Sequence, residues 1–468
     1  MTNILENTAP IDPEDPRYEP LLRNLQGNIL KGHGRNHAVL LFFRFTHPPE
    51  EVRRGLGGIV QHVTSAHTQL RAAKQFRDLK VPGALFANFF LSASGYLAIE
   101  VTSGPCVYDD ASSFLRGMKR AVQELGDPPV EAWEKPYQDQ IDAMLLLADN
   151  DLDFLLRKAR EFIDRIEIFA EVVIVEHGAA LRDDRGEGIE HFGFADAQSQ
   201  PVFFDKEKKR GETEEFWKPF APLSLALVRD GAVPDDDAFG SFLVYRKLEQ
   251  DVRRFMMAEA RLADALKLKG RDRKRAGAMV IGRYRDGTPL ALATFEGFPE
   301  IKENDFDYSG DKDGTRCPFH AHIRKVNPRS ELDIPVAAQK RIRIVRRAIP
   351  YGKRMRASEL RSLDDLPSEG VGLLFMCFQS FVELQFNFIQ KEWANKRTVI
   401  QETVKSGRDA LIGQQETAVA TRWPTRYGES ELSEEIPFEN FVKMKGGEYF
   451  FAPSMPFLRR LAAQAAGA

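Results

Sequence analysis

The sequence predicts an α+β fold built from two ferredoxin-like halves, each an antiparallel sheet with helices on one face. Three observations predict it. Short apolar runs of strand length alternate with amphipathic helical stretches, their order in the first half is that of a split βαβ unit, and the second half repeats that order. A chain of 468 residues, 43% hydrophobic and 29% charged, is long enough to form two such domains.

The first half contains four apolar runs that predict strands, at His37–Phe45, Ala84–Ser92, Tyr96–Val101 and Met144–Ala148. The second and third runs predict a hairpin turned at Ala93–Gly95. Helical character extends from Glu50 to about Lys74. A second amphipathic helix is predicted because one face collects Phe114, Met118, Ala121, Val122 and Leu125. A further helix and the strand Glu171–Glu176 extend the sheet.

The second half repeats this pattern. Ser241–Lys247 predicts a strand that leads into a long helix. Gly370–Gln379 predicts a buried strand, and Ser380–Trp393 predicts a helix. The apolar stripe of that helix is expected to contain Phe381, Leu384 and Phe388. No repeat is visible at the level of individual residues.

The domain organisation predicted from composition has three parts. Residues 1–20, rich in proline and acidic residues, form an extended arm, residues 21–205 form the N-terminal domain, and residues 216–468 form the C-terminal domain. The boundary falls in the charged run DKEKKRGETEE at Asp205–Glu215, which has few apolar residues.

Composition excludes several classes of protein. A net charge of −3 gives no bulk basicity for binding nucleic acid or an anionic membrane surface, and no stretch approaches 18 uncharged apolar residues. The first residues lack the basic and apolar regions of a signal peptide. Cys106, Cys317 and Cys377 are odd in number and lack CxxC spacing, which favours a reducing compartment. We therefore expect a cytoplasmic protein, either monomeric or homodimeric.

Two of the nine histidines, His320 and His322, lie one residue apart in CPFHAHIRKVNPRS. On a strand both would face one side, whereas on a helix they would point about 200° apart, so only one could enter a given pocket. Spacing alone does not decide between these alternatives. HExxH, GxSxG, GxGxxG and the phosphate-binding GxxxxGK[ST] are all absent from the sequence, which leaves zinc hydrolysis, serine nucleophilic catalysis and nucleotide binding unsupported.

A longer segment that contains both histidines, Asn304–Ser330, resembles the haem-binding region of the dye-decolorizing peroxidase family, whose pattern ends in AHIRKxNPR. Further motifs of that family occur in the same order, among them LQGNILKGHGR, GFADAQSQP, GSFLVYRKLEQDV, VIGRYRDGTPL, RRAIPYG, GLLFMCFQSFVELQFNFIQKEWAN and GGEYFFAPSMPFLRRL. The length is similar to that of the larger bacterial and fungal branch. The resemblance implies haem b, held mainly by the C-terminal half of two ferredoxin-like domains.

The resemblance also assigns the residues on the proximal side of the haem. His322, directly before Ile-Arg-Lys, matches the axial ligand of the iron, and His320 is then incidental or a support for the ligand. A peroxidase imidazole needs an acceptor for its second ring N–H, and by position Asp409 in GRDALIGQ is the candidate. A cap of a helix or turn is an equally good interpretation of Asp409. Arg329 could pair with a haem propionate.

On the distal side, GFADA resembles the family motif GxxDG and makes Asp196 the acid–base that moves a proton between the two peroxide oxygens. The second glycine of the motif is Ala197 here, and the alternative for Asp196 is a turn-forming role. Arg346 in RRAIPYG matches the guanidinium that stabilises the leaving hydroxide. Leu373 and Phe375, alternate residues of a buried strand, are expected to line the distal cavity.

The resemblance implies a peroxidase that uses hydrogen peroxide to oxidise phenols and anthraquinone dyes, with Mn(II) as a further candidate. Because the Asp196 carboxylate works as a base only when ionised and needs an arginine nearby, we expect the activity to be highest below neutral pH. Bulky dyes would lose electrons at the protein surface through tyrosine or tryptophan. Four tryptophans are available, with Trp393 expected in the core: Trp133, Trp217, Trp393 and Trp423. The alternatives are a haem carrier or sensor with incidental turnover, and other haem chemistry such as chlorite decomposition.

Overall fold

The structure is a computed structural model that describes residues 4–7, 9–106, 111–207, 216–297, 304–329, 331–332, 335–355, 359, 361–398, 407–414 and 419–466. No helix within these residues combines the length and the apolar character that crossing a membrane requires.

The first half forms a four-stranded antiparallel sheet of β1 (His37–Phe45), β2 (Phe86–Leu91), β3 (Ala143–Asp149) and β4 (Ala170–Ala179). The strands lie in the order β2-β3-β1-β4. Helices Pro49–Val60 and Ala66–Leu79 connect β1 to β2, and helix Leu152–Ile166 connects β3 to β4. This connectivity is the split βαβ unit. The ferredoxin-like prediction for this half is therefore confirmed.

The second half repeats the arrangement with β5 (Phe239–Gln250), β6 (Ile349–Tyr351), β7 (Gly372–Gln379) and β8 (Val442–Ala452). Its strand order, β6-β7-β5-β8, is the same as that of the first half. Helix Val252–Ala265 follows β5 directly, and Asp251 caps it by accepting a hydrogen bond from the backbone N–H of Arg254. The predicted strands at Ser241–Lys247 and Gly370–Gln379 correspond to β5 and β7.

The two sheets join into one closed sheet, which the sequence did not predict. At one junction Tyr351 of β6 pairs with Gly178 of β4, and at the other Phe451 of β8 pairs with Leu91 of β2. Side chains that point into this closed sheet form part of the main hydrophobic core, for example Leu40, Phe42, Leu146, Leu243, Leu374 and Phe450. The opposite face of β5 and β7 is thereby left to line a separate cavity.

The remaining helical segments of the described residues lie at Ile4–Glu6, Pro16–Tyr18, Glu19–Asn24, Ala93–Ala98, Gly104–Cys106, Ala111–Arg116, Met118–Arg120, Val122–Leu125, Val130–Ala132, Lys135–Gln138, Asp205–Glu207, Leu223–Leu225, Gly270–Lys274, Arg275–Ile281, His322–Val326, Val336–Ile342, Leu363–Asp365, Glu383–Asn387, Ile389–Ala394 and Met455–Ala466. Short strands occur at Leu181–Arg182, Gly188–Ile189, Val228–Arg229, Val345–Arg346, Val419–Thr421 and Ile436–Phe438.

The predicted hairpin between Ala84–Ser92 and Tyr96–Val101 is wrong. Ser92 instead caps helix Ala93–Ala98 by accepting a hydrogen bond from the backbone N–H of Gly95. Gly95 packs so tightly that a Cβ there would lie 2.0 Å from the carbonyl oxygen of Asp142. β2 consequently pairs with β3 and β8 rather than with the chain that follows it.

Two helices predicted as continuous are interrupted. The helical stretch from Glu50 to Lys74 ends at Val60 and begins again after Ser65, which caps the second helix. The predicted face that begins at Phe114 is buried, but the chain breaks at Gly117, whose φ of 73° ends the first segment. Amphipathic periodicity therefore identified the buried face and missed the turns within it.

The predicted stripe of Phe381, Leu384 and Phe388 is also wrong, because Phe381 and Leu384 are 41% and 61% exposed. Segments Glu383–Asn387 and Ile389–Ala394 are π-helical. A π-helix turns less per residue than an α-helix, so the buried side shifts along the sequence. The large apolar side chains that these segments bury are Phe386, Ile389 and Trp393.

The N-terminal arm is partly anchored rather than freely extended. Ile11 is buried, and its backbone pairs with the chain at Phe204 through hydrogen bonds to Phe203 and Asp205. Most of the predicted boundary run, residues 208–215, lies outside the described residues. The division at 21–205 and 216–468 stays a prediction.

The close pairing of β5 with β7 predicts that Gly372→Ala destabilises the protein by about 1–3 kcal/mol, the usual range for an overpacked site. A Cβ at Gly372 of β7 would lie 2.0 Å from the carbonyl oxygen of Leu248 on β5, so the two strands would have to separate. The measurement is the free energy of unfolding from denaturant titration.

The matched control is Gly58→Ala in helix Pro49–Val60, where a Cβ meets nothing within 4 Å. We expect this substitution to stabilise the protein by up to about 1 kcal/mol, because alanine is the better helix former. An unchanged unfolding midpoint for Gly372→Ala would contradict the close packing of β5 against β7.

Candidate active site

A cavity of about 260 Å³ lies against the outer face of β5 and β7 in the second half. Its other walls come from the loop 194–201, the short helix His322–Val326 and the segment 411–414. Six of the residues selected from the sequence line it, namely Asp196, His322, Arg329, Arg346, Leu373 and Phe375. The seventh, Asp409, lies behind His322.

His322 begins the short helix that forms one wall of the cavity. Its Nδ1 forms a 2.9 Å hydrogen bond with Oδ2 of Asp409. In a neutral imidazole this bond requires the proton to be on Nδ1, because an ionised carboxylate only accepts. Nε2 is then the unprotonated ring nitrogen, which is the form in which histidine binds a metal.

Asp409 is buried and has a second set of partners. Its Oδ1 accepts hydrogen bonds from the backbone N–H groups of Leu411 and Ile412, at 2.8 and 2.9 Å. Burial alone would raise the pKa of this carboxyl, but the neighbouring His322 and the hydrogen bonds outweigh it and the pKa is lowered. Asp409 thus caps a turn and holds the imidazole at once, so the two interpretations of this residue are compatible.

His320 does not line the cavity. Its ring is buried edge-on against the indole of Trp423, with centroids 4.3 Å apart, and its carbonyl oxygen accepts from the backbone N–H of Ala410. The chain turns into the helix between the two histidines, which sends their side chains in different directions.

Asp196 follows a short bridge between Ile189 and Ala195, and its backbone N–H donates to the carbonyl oxygen of Gly188. Its Oδ1 accepts from the backbone N–H of Ala197 at 2.6 Å and from Nη1 of Arg346 at 3.3 Å. The Asp196 side chain thereby stabilises the local turn and also pairs with the guanidinium of Arg346 at the cavity wall.

Arg346 is held from two sides. Its strand, Val345–Arg346, pairs with Cys377 and Phe378 of β7, and its backbone N–H donates to Oε1 of Gln200 at 3.1 Å. Gln200 lies in the same loop as Asp196, so one loop positions both members of the aspartate–arginine pair.

The residue after Asp196 carries a local strain. Ala197 has a φ of 56°, the left-handed region in which a side chain costs roughly 1–2 kcal/mol and glycine costs little. This is the position at which the family motif has glycine. The turn expected from that motif forms in this chain despite the added methyl group.

We expect Ala197→Gly to raise the free energy of unfolding by up to about 1 kcal/mol, since the strain is relieved while the unfolded chain gains some freedom. Thermal unfolding measures the change. Ala195→Gly, two residues earlier in extended backbone, is the matched control and should lower stability. Equal effects of the two substitutions would contradict strain at Ala197.

The sheet wall of the cavity is apolar. Leu373 and Phe375 line the cavity, while Leu374 and Met376 between and beyond them point into the closed sheet. This alternation follows from the two-residue period of a strand. The ring of Phe375 lies 6.0 Å from that of Phe386, and together they narrow this side of the cavity.

Three arginines in the walls have no hydrogen bond to a carboxylate among the described residues. Arg329 donates to the carbonyl oxygens of Asn304 and Phe306, and Arg343 donates to those of Pro219 and Phe220. The third, Arg283, donates to Gly287 and Asn304.

Burial lowers the pKa of Arg329 to about 9 and that of Arg343 and Arg283 to about 10. Sequence reasoning selected Arg329 and missed the other two, although Arg283 lies within the motif VIGRYRDGTPL and Arg343 lies just before RRAIPYG. Together they give the cavity an excess of positive charge.

The four tryptophans are all buried, with exposed fractions from 0 to 4%. Burial of Trp393 is as predicted, but Trp133, Trp217 and Trp423 do not present the surface indoles expected for bulky reductants. Trp217 lies in the cavity wall and is flanked by Arg329, Lys340 and Arg343.

Among the described tyrosines, Tyr18 and Tyr427 are partly exposed and the others are buried.

A histidine oriented by a buried carboxylate and an aspartate paired with an arginine share one cavity on two joined ferredoxin-like sheets. This combination of fold and site is that of a peroxidase. Residues 24–180 match the DyP dimeric alpha+beta barrel domain, and residues 222–406 match the C-terminal domain of Dyp-type peroxidases.

Individual relatives agree with this assignment. The chain is 40% identical over 453 residues to the multifunctional dye peroxidase DyP2 of Amycolatopsis sp., covering 94% of this chain and 96% of that protein. It is 40% identical to the solved DyP-type peroxidase AnaPX of Anabaena sp., with a TM-score of 0.90 over 98% of this chain and 99% of the other. A dye-decolorizing peroxidase solved in complex with 2,6-dimethoxyphenol is 28% identical, with a TM-score of 0.77 over 95% and 99% of the two chains. The chain belongs to the dye-decolorizing peroxidase family.

Proposed function

We propose that this protein is a haem b peroxidase that reduces hydrogen peroxide and oxidises phenols and bulky aromatic dyes in one-electron steps. One observation carries the proposal: the His322–Asp409 pair and the Asp196–Arg346 pair border the same cavity. The first pair provides an electron-rich imidazole, and the second provides an acid–base beside a fixed positive charge.

The donor set fits a haem better than a bare metal ion. Within the described residues no group of three or more His, Cys, Asp or Glu side chains could hold a metal. A single imidazole suffices when a porphyrin supplies the other iron ligands. His322 would bind the iron through Nε2, and Arg329 with Arg343 or Arg283 would face the anionic propionates.

Haem, when bound, would supply the iron centre at which hydrogen peroxide is reduced. Asp196 moves the proton that this reaction requires. Its Oδ1 already accepts from Ala197 and Arg346, so Oδ2 is the oxygen that takes a proton from one peroxide oxygen and delivers it to the other. Arg346 stabilises the negative charge that develops on the leaving oxygen without having to reorient.

Asp409 keeps the Nδ1 proton of His322 hydrogen-bonded to a carboxylate, which makes the imidazole a stronger electron donor. Leu373 and Phe375 exclude bulky molecules and much of the water from this side of the cavity. Small oxidants can approach Asp196, and large aromatic reductants must react at the periphery.

Reductants of the phenol class are supported by the relative solved with 2,6-dimethoxyphenol. A cytoplasmic location is supported by Cys317 and Cys377, which are buried and free.

The test is to load the purified protein with haem and record its optical spectrum before and after one equivalent of hydrogen peroxide. Steady-state oxidation of 2,6-dimethoxyphenol and of an anthraquinone dye is measured alongside. We expect the Soret band to change within the mixing time and turnover to exceed that of free haem by orders of magnitude. A stable haem complex that is no faster than free haem would instead identify a carrier or sensor.

A further inference from the structure

Lys325 is a fully buried ammonium group that the proposed mechanism does not use. Its Nζ donates to the carbonyl oxygens of Lys396 at 2.6 Å and Gly407 at 3.0 Å. Removing a charge from water costs several kcal/mol unless good hydrogen bonds replace the hydration. Methionine would fill the same space without this cost. The buried charge of Lys325 therefore indicates a role beyond packing.

The two carbonyls belong to segments that bring Asp409 to His322. The backbone N–H of Asp409 donates to the carbonyl oxygen of Ala394 at 2.8 Å, next to the segment that Lys325 binds at Lys396. Gly407, the second acceptor, lies two residues before Asp409 and has a φ of 83°. Lys325 thus joins the segment that contains Lys396 to the segment that carries the carboxylate of Asp409.

Lys325 also shares a helix with His322. Residues three apart lie on the same side of a helix, so this single turn carries both the imidazole and the ammonium that holds the acceptor segment. Burial lowers the pKa of Lys325 to about 8, and the nearby Asp409 opposes that shift. The ammonium form supplies the donors that the two carbonyls need.

We propose that Lys325 is a positioning residue of the peroxidase: it fixes the backbone before Asp409 so that Oδ2 accepts the Nδ1 proton of His322. The inference rests on the proposed function for its catalytic meaning. Lys325 then supports the His322–Asp409 pair indirectly, through hydrogen bonds to backbone carbonyl oxygens.

The experiment compares Lys325→Met with Asp409→Asn, which weakens the acceptor directly. In the haem-free protein, ¹⁵N NMR of the imidazoles reports which ring nitrogen of His322 carries the proton. In the haem-loaded protein, the midpoint potential of the iron reports how strongly the imidazole donates electrons. We expect Lys325→Met to increase the fraction of His322 protonated at Nε2 and to raise the potential, as Asp409→Asn does.

Lys247→Met is the matched control. Lys247 is also largely buried, bonds to Glu134 and Glu176, and lies on β5 between two cavity-lining residues with its side chain on the other face. We expect Lys247→Met to lower the stability of the protein, while the tautomer of His322 and the midpoint potential of the iron stay at wild-type values.

The proposal would be overturned if Lys325→Met had the wild-type tautomer of His322 and the wild-type midpoint potential. If only its thermal stability fell, Lys325 would stabilise the fold without positioning Asp409. If the chain takes up no haem, the proposed function fails while the NMR measurement still tests Lys325. If haem binds and reacts but the tautomer does not change, only this inference fails.

Discussion

Asp196→Asn is expected to slow the reaction of the haem-loaded protein with hydrogen peroxide by about 10²–10⁴-fold, the usual contribution of a positioned acid–base. Asparagine keeps an oxygen that can accept from Ala197 and Arg346, so the turn is retained. Its amide cannot take up the peroxide proton. Stopped-flow measurement of the second-order rate constant, at equal haem content, checks the result.

Asp183→Asn provides the control for this substitution. Asp183 lies in the chain between β4 and Asp196. It pairs with Arg185 and does not line the cavity. Its replacement should leave the rate constant at the wild-type value. If Asp196→Asn reacts as fast as wild type, proton transfer does not pass through this carboxylate and the distal assignment is wrong.

His322→Ala is expected to abolish normal haem binding. The substitution removes the imidazole proposed to bind the iron and leaves Asp409 as a buried carboxylate without its partner. Because changes in the support of a metal ligand already cost about 10–100-fold, we expect loss of the ligand to lower turnover by at least about 10²-fold. The Soret band should shift or disappear, and added imidazole should partly restore both.

His320→Ala tests whether the effect is specific to the ligand. His320 is buried against Trp423 and does not line the cavity. Its removal should cost about 1–3 kcal/mol of stability, as expected for a truncated buried group, and leave the Soret band in place. The reverse pattern, with His320 required for haem binding and His322 dispensable, would transfer the ligand assignment to His320.

Much of the fold could be predicted from the sequence because strand and helix periods differ. Alternation of side chains along one strand, together with the family resemblance, predicted that Leu373 and Phe375 line the cavity. The same reasoning failed at Tyr96, where a capping serine and a tightly packed glycine select a helix. It failed again at Leu384, because no local signal indicates the wider π-helical turn.

Joining of the two sheets could not be predicted, since each junction is formed by residues distant in sequence, such as Gly178 with Tyr351. The site shows the same limit. A family resemblance identifies the segments of His322, Asp196 and Arg346 and gives each residue a role. Arg283 and Lys325 also lie in recognised motifs and Arg343 lies next to one, but these three act through carbonyl oxygens that only the folded chain brings near.

Asp409 illustrates how one residue can satisfy two interpretations that the sequence leaves open. Its Oδ1 caps a turn and its Oδ2 accepts from His322. A carboxylate has enough lone pairs for both tasks, so a capping role does not argue against a role in catalysis.

A crystal structure of the haem-loaded protein, with the iron located by its anomalous scattering, tests the central claim most directly. The account predicts iron bonded to Nε2 of His322, with Asp409 on Nδ1 and with Asp196 and Arg346 across the ring plane. Iron bonded to any other side chain, or a porphyrin outside the cavity lined by Leu373 and Phe375, would contradict it.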